Sequence, residues 1–294
     1  MAPSNLTLYD GFVDFQKGQY HGRNIRFGVR EHAMAAIVNG LFAYGGFIPY
    51  AATFFNFLSY CQGAVTLSDL SSVHGIYIMT HDSIGLGEDG PTHQPIEKFA
   101  TVRGMPNILL FRPADGNETS GSYAVALEDN RRPSVLALSR QDLPQLEGSS
   151  LEKVKQGGYV LQDPEGKADV ILVATGSEVS IAVKSAELLA SQGKKARVVS
   201  FPCTTLFDEQ SKEYQLSVLP DGVPVLSIEA ASTFGWSKYA HAHVGLTTAG
   251  ASGKATELYK HFGITPEAIS AKASKLIEFY AGSPPRSPVN VITW

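Results

Sequence analysis

Residues 75–97, GIYIMTHDSIGLGEDGPTHQPIE, concentrate the side chains best suited to chemistry: within 13 residues come His81, Asp82, Glu88, Asp89 and His93, spaced by Gly85, Gly87 and Gly90. Glycines lower stability unless the loop's shape requires them, so a polar loop this rich in glycines and ionisable groups points to function. Histidine is the side chain whose proton moves near neutral pH, and two on one loop suit proton transfer or anion binding. Metal binding is the rival chemistry, but no His-x3-His helix pair or cysteine ligand supports it, and no metal ligand is assigned.

Further candidates lie elsewhere in the chain. Glu31 comes just before Met34, Ile37, Val38 and Leu41, which recur at helical spacing. It therefore sits in or just before a first helical turn, where the helix dipole already favours a carboxylate and a catalytic role is the sharper reading. Phe54, Phe57 and Tyr60 stand three apart; in a helix they would share one face, as core or as a wall for a flat heteroaromatic ring. Arg140 follows an apolar strand, where ligand-binding groups are expected, although strand-end arginines also serve as solvated or salt-bridged caps. His241 and His243, at alternate positions, read as a surface strand or loop rather than a metal pair. Thr175-Gly-Ser-Glu has the form of a strand-to-helix turn, but without G-x-G-x-x-G it says little about nucleotides.

These groups need a scaffold, and the pattern supplies one. Apolar runs at residues 47–52, 76–79, 108–111, 134–138, 170–174, 197–201 and 223–228 predict strands. Helical periodicity follows Glu31, and helices are predicted over 95–102, from Asp115 or Asn117 to about Glu128, from 178 to near Gln192, and over 265–280. Strands alternating with helices imply α/β architecture, with a mostly parallel sheet flanked by helices in each of two domains, 1–145 and 146–294. The chain has 294 residues, 44% of them hydrophobic and 18% charged, with net charge −4. Such a balance gives no sign of a nucleic-acid or membrane surface. Two cysteines, Cys61 and Cys203, make no disulfide framework, and no apolar stretch reaches membrane-helix length. Without a signal-peptide pattern at residue 1, a cytoplasmic location is expected.

Taken together, the motifs resemble the C-terminal half of fungal-type transketolases over nearly the whole chain. The matching strings are Pro3-Ser-Asn-Leu-Thr, Arg30-Glu-His-Ala-Met, Thr53-Phe-x-Asn-Phe-x-Ser-Tyr, Thr80-His-Asp-Ser-Ile-Gly-x-Gly-Glu-Asp-Gly-Pro-Thr-His-Gln-Pro, Arg112-Pro-Ala-Asp-Gly-Asn-Glu, Leu138-Ser-Arg-Gln and Leu172-Val-Ala-Thr-Gly-Ser-Glu-Val. The resemblance implies a thiamine-diphosphate-binding pyrimidine domain followed by the family's C-terminal domain, which contributes little to the active site and more to assembly. On that resemblance Glu31 bonds the cofactor's pyrimidine and drives its activation, and Phe54, Phe57 and Tyr60 form the aromatic pocket. Ser4, His81 and Arg140 hold the sugar phosphate, Asp89 reads a substrate hydroxyl, and His93 assists proton transfer. The reaction implied is two-carbon ketol transfer between ketose and aldose phosphates, the chemistry of pentose phosphate metabolism.

The resemblance also shows what to look for elsewhere. In the family an upstream domain supplies a Gly-Asp-Gly metal loop and the diphosphate site, and no Gly-Asp-Gly occurs in these 294 residues. Ala51-Ala52 replaces a favoured Gly-Gly, and loops near Gly18 and Gly45 are shortened. The expectation is a split enzyme whose second, transketolase-like subunit carries the diphosphate domain with Mg2+ or Ca2+. The β chain of pyruvate dehydrogenase is the architectural precedent. Self-association into a dimer or heterotetramer is then the natural closed form, and the isolated chain is expected to be inactive. A non-catalytic regulatory protein that binds a transketolase, and a fragment of a transketolase or dihydroxyacetone synthase, remain open. Met1 fits either a genuine or an engineered start.

Overall fold

The computed structural model describes residues 2–8 and 11–291, the side chains of residues 2 and 3 excepted. A short helix α1 (Ala2–Asn5) precedes α2 (Glu31–Tyr44), β1 (Tyr50–Phe54), α3 (Leu58–Leu70), β2 (Ile76–Thr80), α4 (Lys98–Arg103), β3 (Leu109–Phe111), α5 (Gly116–Glu128) and β4 (Ser134–Leu138). These strands pair in the order β1-β2-β4-β3, all parallel. Every residue of β2 is buried, the continuous apolar run expected of a strand covered on both faces. Alternation sorts the side chains: Tyr77 and Met79 pack with Met34, Val38, Leu58 and Val65, while Ile76 and Ile78 pack with Val125 and Leu136.

The second sheet is built from β5 (Tyr159–Gln162), β6 (Val170–Ala174), α6 (Glu178–Ser191), β7 (Ala196–Ser200), α7 (Thr204–Asp208), α8 (Lys212–Val218), β8 (Val225–Ser232), β9 (Ala242–Leu246), α9 (Ala255–His261) and α10 (Pro266–Tyr280). Its order is β5-β7-β6-β8-β9, parallel except for β5, which runs antiparallel to β7. Leu172 and Ala174 join the core under α6 and α10, and Ile171 and Val173 face the opposite core with Phe207 and Val218.

Two α/β units with mostly parallel sheets are thus present, as the alternating pattern implies. Several boundaries differ. β1 begins at Tyr50, not residue 47, and runs through Phe54. Residues 95–97 precede rather than form α4, because Ile96 is engaged elsewhere: its N–H bonds the Gln94 carbonyl and its own carbonyl accepts from Ser232 N–H. The Phe54/Phe57/Tyr60 spacing does not lie in one helix. Phe54 closes β1, Phe57 sits in a 3-10 turn, and only Tyr60 belongs to α3.

Candidate functional site

Three adjacent strands bring the residues together. Phe54, Thr80 and Leu138 are register partners across β1, β2 and β4 at their carboxyl ends. His81 is one residue beyond Thr80 and Arg140 two beyond Leu138, so both emerge at the same edge, where parallel sheets hold ligands. The chain reverses between α2 and β1, so α2 delivers Glu31 to this edge too. Proximity is visible electrostatically: the Cys61 thiol, at the start of α3, is pushed up to about 12 by burial and by the Glu31 charge.

His81 is the hub. It is 4% exposed, its ring stacks on Phe54 with centroids 3.7 Å apart, and Nδ1 lies 3.0 Å from the Thr80 hydroxyl. Burial, then the nearby Arg140 and His93, push its pKa down to about 4, against a partial lift from Asp89. His81, Asp89, His93 and Arg140 therefore share one electrostatic neighbourhood. The backbone at His81 is left-handed, with φ of 61°, a conformation that persists only where neighbours enforce it. The aromatic set reaches His93 as well: Phe54 and Phe57 stack at 6.0 Å, Phe57 and Tyr60 lie tilted at 6.0 Å, and His93 stands edge-on to Phe57 at 5.4 Å. Exposure rises outward along the wall, from 6% at Phe54 to 67% at Tyr60. Asp89 and Arg140 are exposed at the rim, and Ser4 is exposed in α1, which lies against β1.

The neutral His81 has a consequence for stability. Unfolded, its ring titrates near 6.5; folded, at about 4. The unfolded chain therefore binds the proton first as pH falls, and the contribution present above pH 6.5 is lost progressively toward pH 4, to a limit of about 3 kcal/mol. Urea unfolding should show this slope, and His81→Asn, which accepts a left-handed backbone, should flatten it; an unchanged slope in the variant would exclude His81 as its origin.

Glu31 is 6% exposed, and among the described residues no hydrogen bond or ion pair engages its carboxylate. Behind the loop lies a feature that motif reading passed over. Arg112, just past β3, is 1% exposed; its Nε donates to Asp82 at 2.9 Å and its Nη1 to Thr175 Oγ1 at 2.9 Å and to Glu178. The Thr175-Gly-Ser-Glu turn is thus filled by an arginine from the other domain, and a Cβ at Gly176 would stand 2.8 Å from Arg112 Nε. The signal was available: Arg112 ends an apolar strand just as Arg140 does. His241 accepts from Val225 N–H and lies 3.0 Å from the Arg286 carbonyl, while His243 lies on β9 beside the Ser227 hydroxyl.

Comparison with known families agrees with this architecture. Residues 1–145 match the transketolase pyrimidine-binding domain model, and residues 157–265 match the transketolase-like C-terminal domain model. The chain belongs to the transketolase family. It is 57% identical to the transketolase of Scheffersomyces stipitis over 295 residues, 98% of this chain and 43% of that protein. To transketolase 1 of Candida albicans it is 57% identical over 296 residues, 99% of this chain and 44% of that one. Among solved structures, Pichia stipitis transketolase in complex with sedoheptulose 7-phosphate superposes with TM-score 0.96 at 56% identity, over 99% of this chain and 44% of that one. A chain described as a split-gene transketolase, inactive β4 tetramer, shares the fold with TM-score 0.71 at 24% identity, over 90% of this chain and 87% of its own. This transketolase-family chain spans less than half the length of the curated relatives it matches, their C-terminal half.

The family uses thiamine diphosphate, and the residues here fit one end of it. The Glu31 carboxylate is unclaimed by any described residue and can accept from a ring nitrogen, and the Phe54–Phe57–Tyr60 wall offers stacking surface at the same sheet edge. Among the described residues no group of three or more His, Cys, Asp or Glu side chains is arranged to hold a metal ion.

Proposed function

We propose that this chain is the pyrimidine-side component of a thiamine-diphosphate-dependent transferase of ketol groups, working with a second polypeptide that brings the diphosphate and metal half. The observation that carries the reading is the meeting of His81, Asp89, His93 and Arg140 beside an aromatic wall, at one sheet edge with Glu31. The bound cofactor would supply a carbon nucleophile that takes up a two-carbon ketol unit. Glu31 would hold the pyrimidine through its carboxylate, with Phe54, Phe57 and Tyr60 orienting the ring and excluding water. Arg140 and neutral His81, with Ser4, would bind the sugar phosphate, since a cation beside neutral donors suits a phosphate dianion. Asp89 would accept from a substrate hydroxyl, and His93 would move the proton at the reacting carbons.

An exposed apolar stretch supports the need for a partner. Tyr44, Phe47, Ile48 and Tyr50 are 85%, 54%, 65% and 48% exposed around the start of β1, the kind of patch protein interfaces cover. The test is complementation. With metal and thiamine diphosphate, this chain alone should not transfer ketol units from a ketose phosphate to an aldose phosphate. Adding a polypeptide bearing the family's diphosphate domain should restore transfer. Full turnover by the single chain would overturn the partner requirement. A chain that bound full-length transketolase but never completed an active site would be a regulator instead.

A further inference from the structure

The C-terminal domain reaches into the loop that carries Asp89 and His93. Gln94 is 2% exposed, and its Nε2 donates to the Ala251 carbonyl at 2.9 Å and the Gly87 carbonyl at 3.4 Å. One amide thus ties the beginning of the loop, its end and the other domain together. The Ser252 hydroxyl donates to the Glu88 carbonyl at 2.8 Å. The two segments pack so closely that a side chain at Gly250 has no room and one at Gly90 has little. A Cβ at Gly250 would overlap the Gln94 carboxamide and stand 2.7 Å from its Cδ, and one at Gly90 would stand 3.2 Å from Ser252 Cβ. A third tie comes from the first domain, where Asn56 Nδ2 donates to the Thr92 carbonyl at 2.6 Å.

These contacts flank the two substrate candidates. Asp89 lies between Glu88, bonded to Ser252, and Gly90, packed on Ser252. His93 lies between Thr92, bonded to Asn56, and Gln94, bonded to Ala251. We infer that residues 250–252 of the C-terminal domain are a positioning element for the substrate loop, acting through Gln94, so that this domain tunes substrate binding rather than serving assembly alone. The kinetic part rests on the function proposed above; the positioning itself does not.

The two are tested separately. In the full chain by itself, hydrogen exchange over residues 85–94 should speed up ~10-fold or more in Gln94→Met and Gly250→Ala, with residues 31–44 unchanged. Ser252→Ala should give a smaller change in the same peptide. Should Gly250→Ala fail to fold, Gln94→Met and Ser252→Ala carry the measurement. In the assembled enzyme, Gln94→Met should raise KM for the ketose phosphate ~10-fold while half-saturation by thiamine diphosphate stays within ~2-fold. Unchanged exchange over 85–94 in folded Gln94→Met overturns the positioning role. So does a parallel loss of substrate and cofactor affinity, the mark of general destabilisation. If the assembled wild type transfers no ketol unit, the function proposed above fails, and the exchange result alone decides the positioning role.

Discussion

Glu31→Gln in the assembled enzyme is expected to lower kcat by about three orders of magnitude or more, with folding intact. Glu31, the first residue of α2, is 6% exposed, and its carboxylate makes no hydrogen bond or ion pair with the described residues. A side chain held there only by the helix dipole would contribute ~0.3–1 kcal/mol and nothing to turnover. Glutamine keeps the size and one acceptor oxygen but loses the charge and the basicity needed to hold a pyrimidine nitrogen. Stability to urea should therefore move by no more than about 1 kcal/mol while the rate collapses. Near-normal turnover in the variant would leave Glu31 as a helix-start residue and remove the role proposed for it. A collapse of stability alongside the rate would point to packing instead.

The sheet edge was legible because its strands announce themselves. β2, β4 and β6 are fully or almost fully buried, and buried parallel strands read as unbroken apolar runs. Once the strands are placed, His81 and Arg140 fall at their carboxyl ends from chain position alone. β5 was not legible: it is four residues long, with a polar Gln162 at its end, and gains its place only by antiparallel pairing with β7. The short helices α7, α8 and α9, of five, seven and seven residues, are too brief to display a period. The aromatic triplet carried its true spacing and the wrong geometry, since a strand-to-3-10-to-helix passage also sets rings at intervals of three. Least visible was the interdomain polar core. Glu118 in α5 accepts from Tyr159 and Ser200 of the second domain, and burial raises its pKa despite those bonds. Nothing local in the sequence marks a residue whose partners lie far along the chain.

Arg112→Met is expected to destabilise the protein by about 3–5 kcal/mol at pH 7, the range for removing one partner of a buried ion pair. Asp82, Glu178 and Glu229 are each at most 2% exposed, and Arg112 faces all three, with its guanidinium 4.8 Å from the Phe99 ring centroid. Among the described residues only Glu229 has a second arginine: Arg103 grips it with bonds of 2.8 and 2.7 Å. Burial would raise Glu229, but Arg103 and Arg112 hold it down to about 2. Its stabilising contribution is therefore present above the ordinary carboxylate range near 4.5 and lost as pH falls toward 2. Methionine preserves much of the packing volume but leaves Asp82 and Glu178 without a counter-charge. Arg112→Lys should fall between the two, because one ammonium cannot span Asp82, Thr175 and Glu178 as the planar fork does. Urea unfolding of the three proteins at pH 7 measures this. A methionine variant as stable as wild type at pH 7 would mean that the interdomain charges are individually dispensable. Because Asp82 directly follows His81, the same substitution should also loosen the left-handed backbone at His81, coupling the seam between the domains to the end of the site proposed to bind the sugar phosphate.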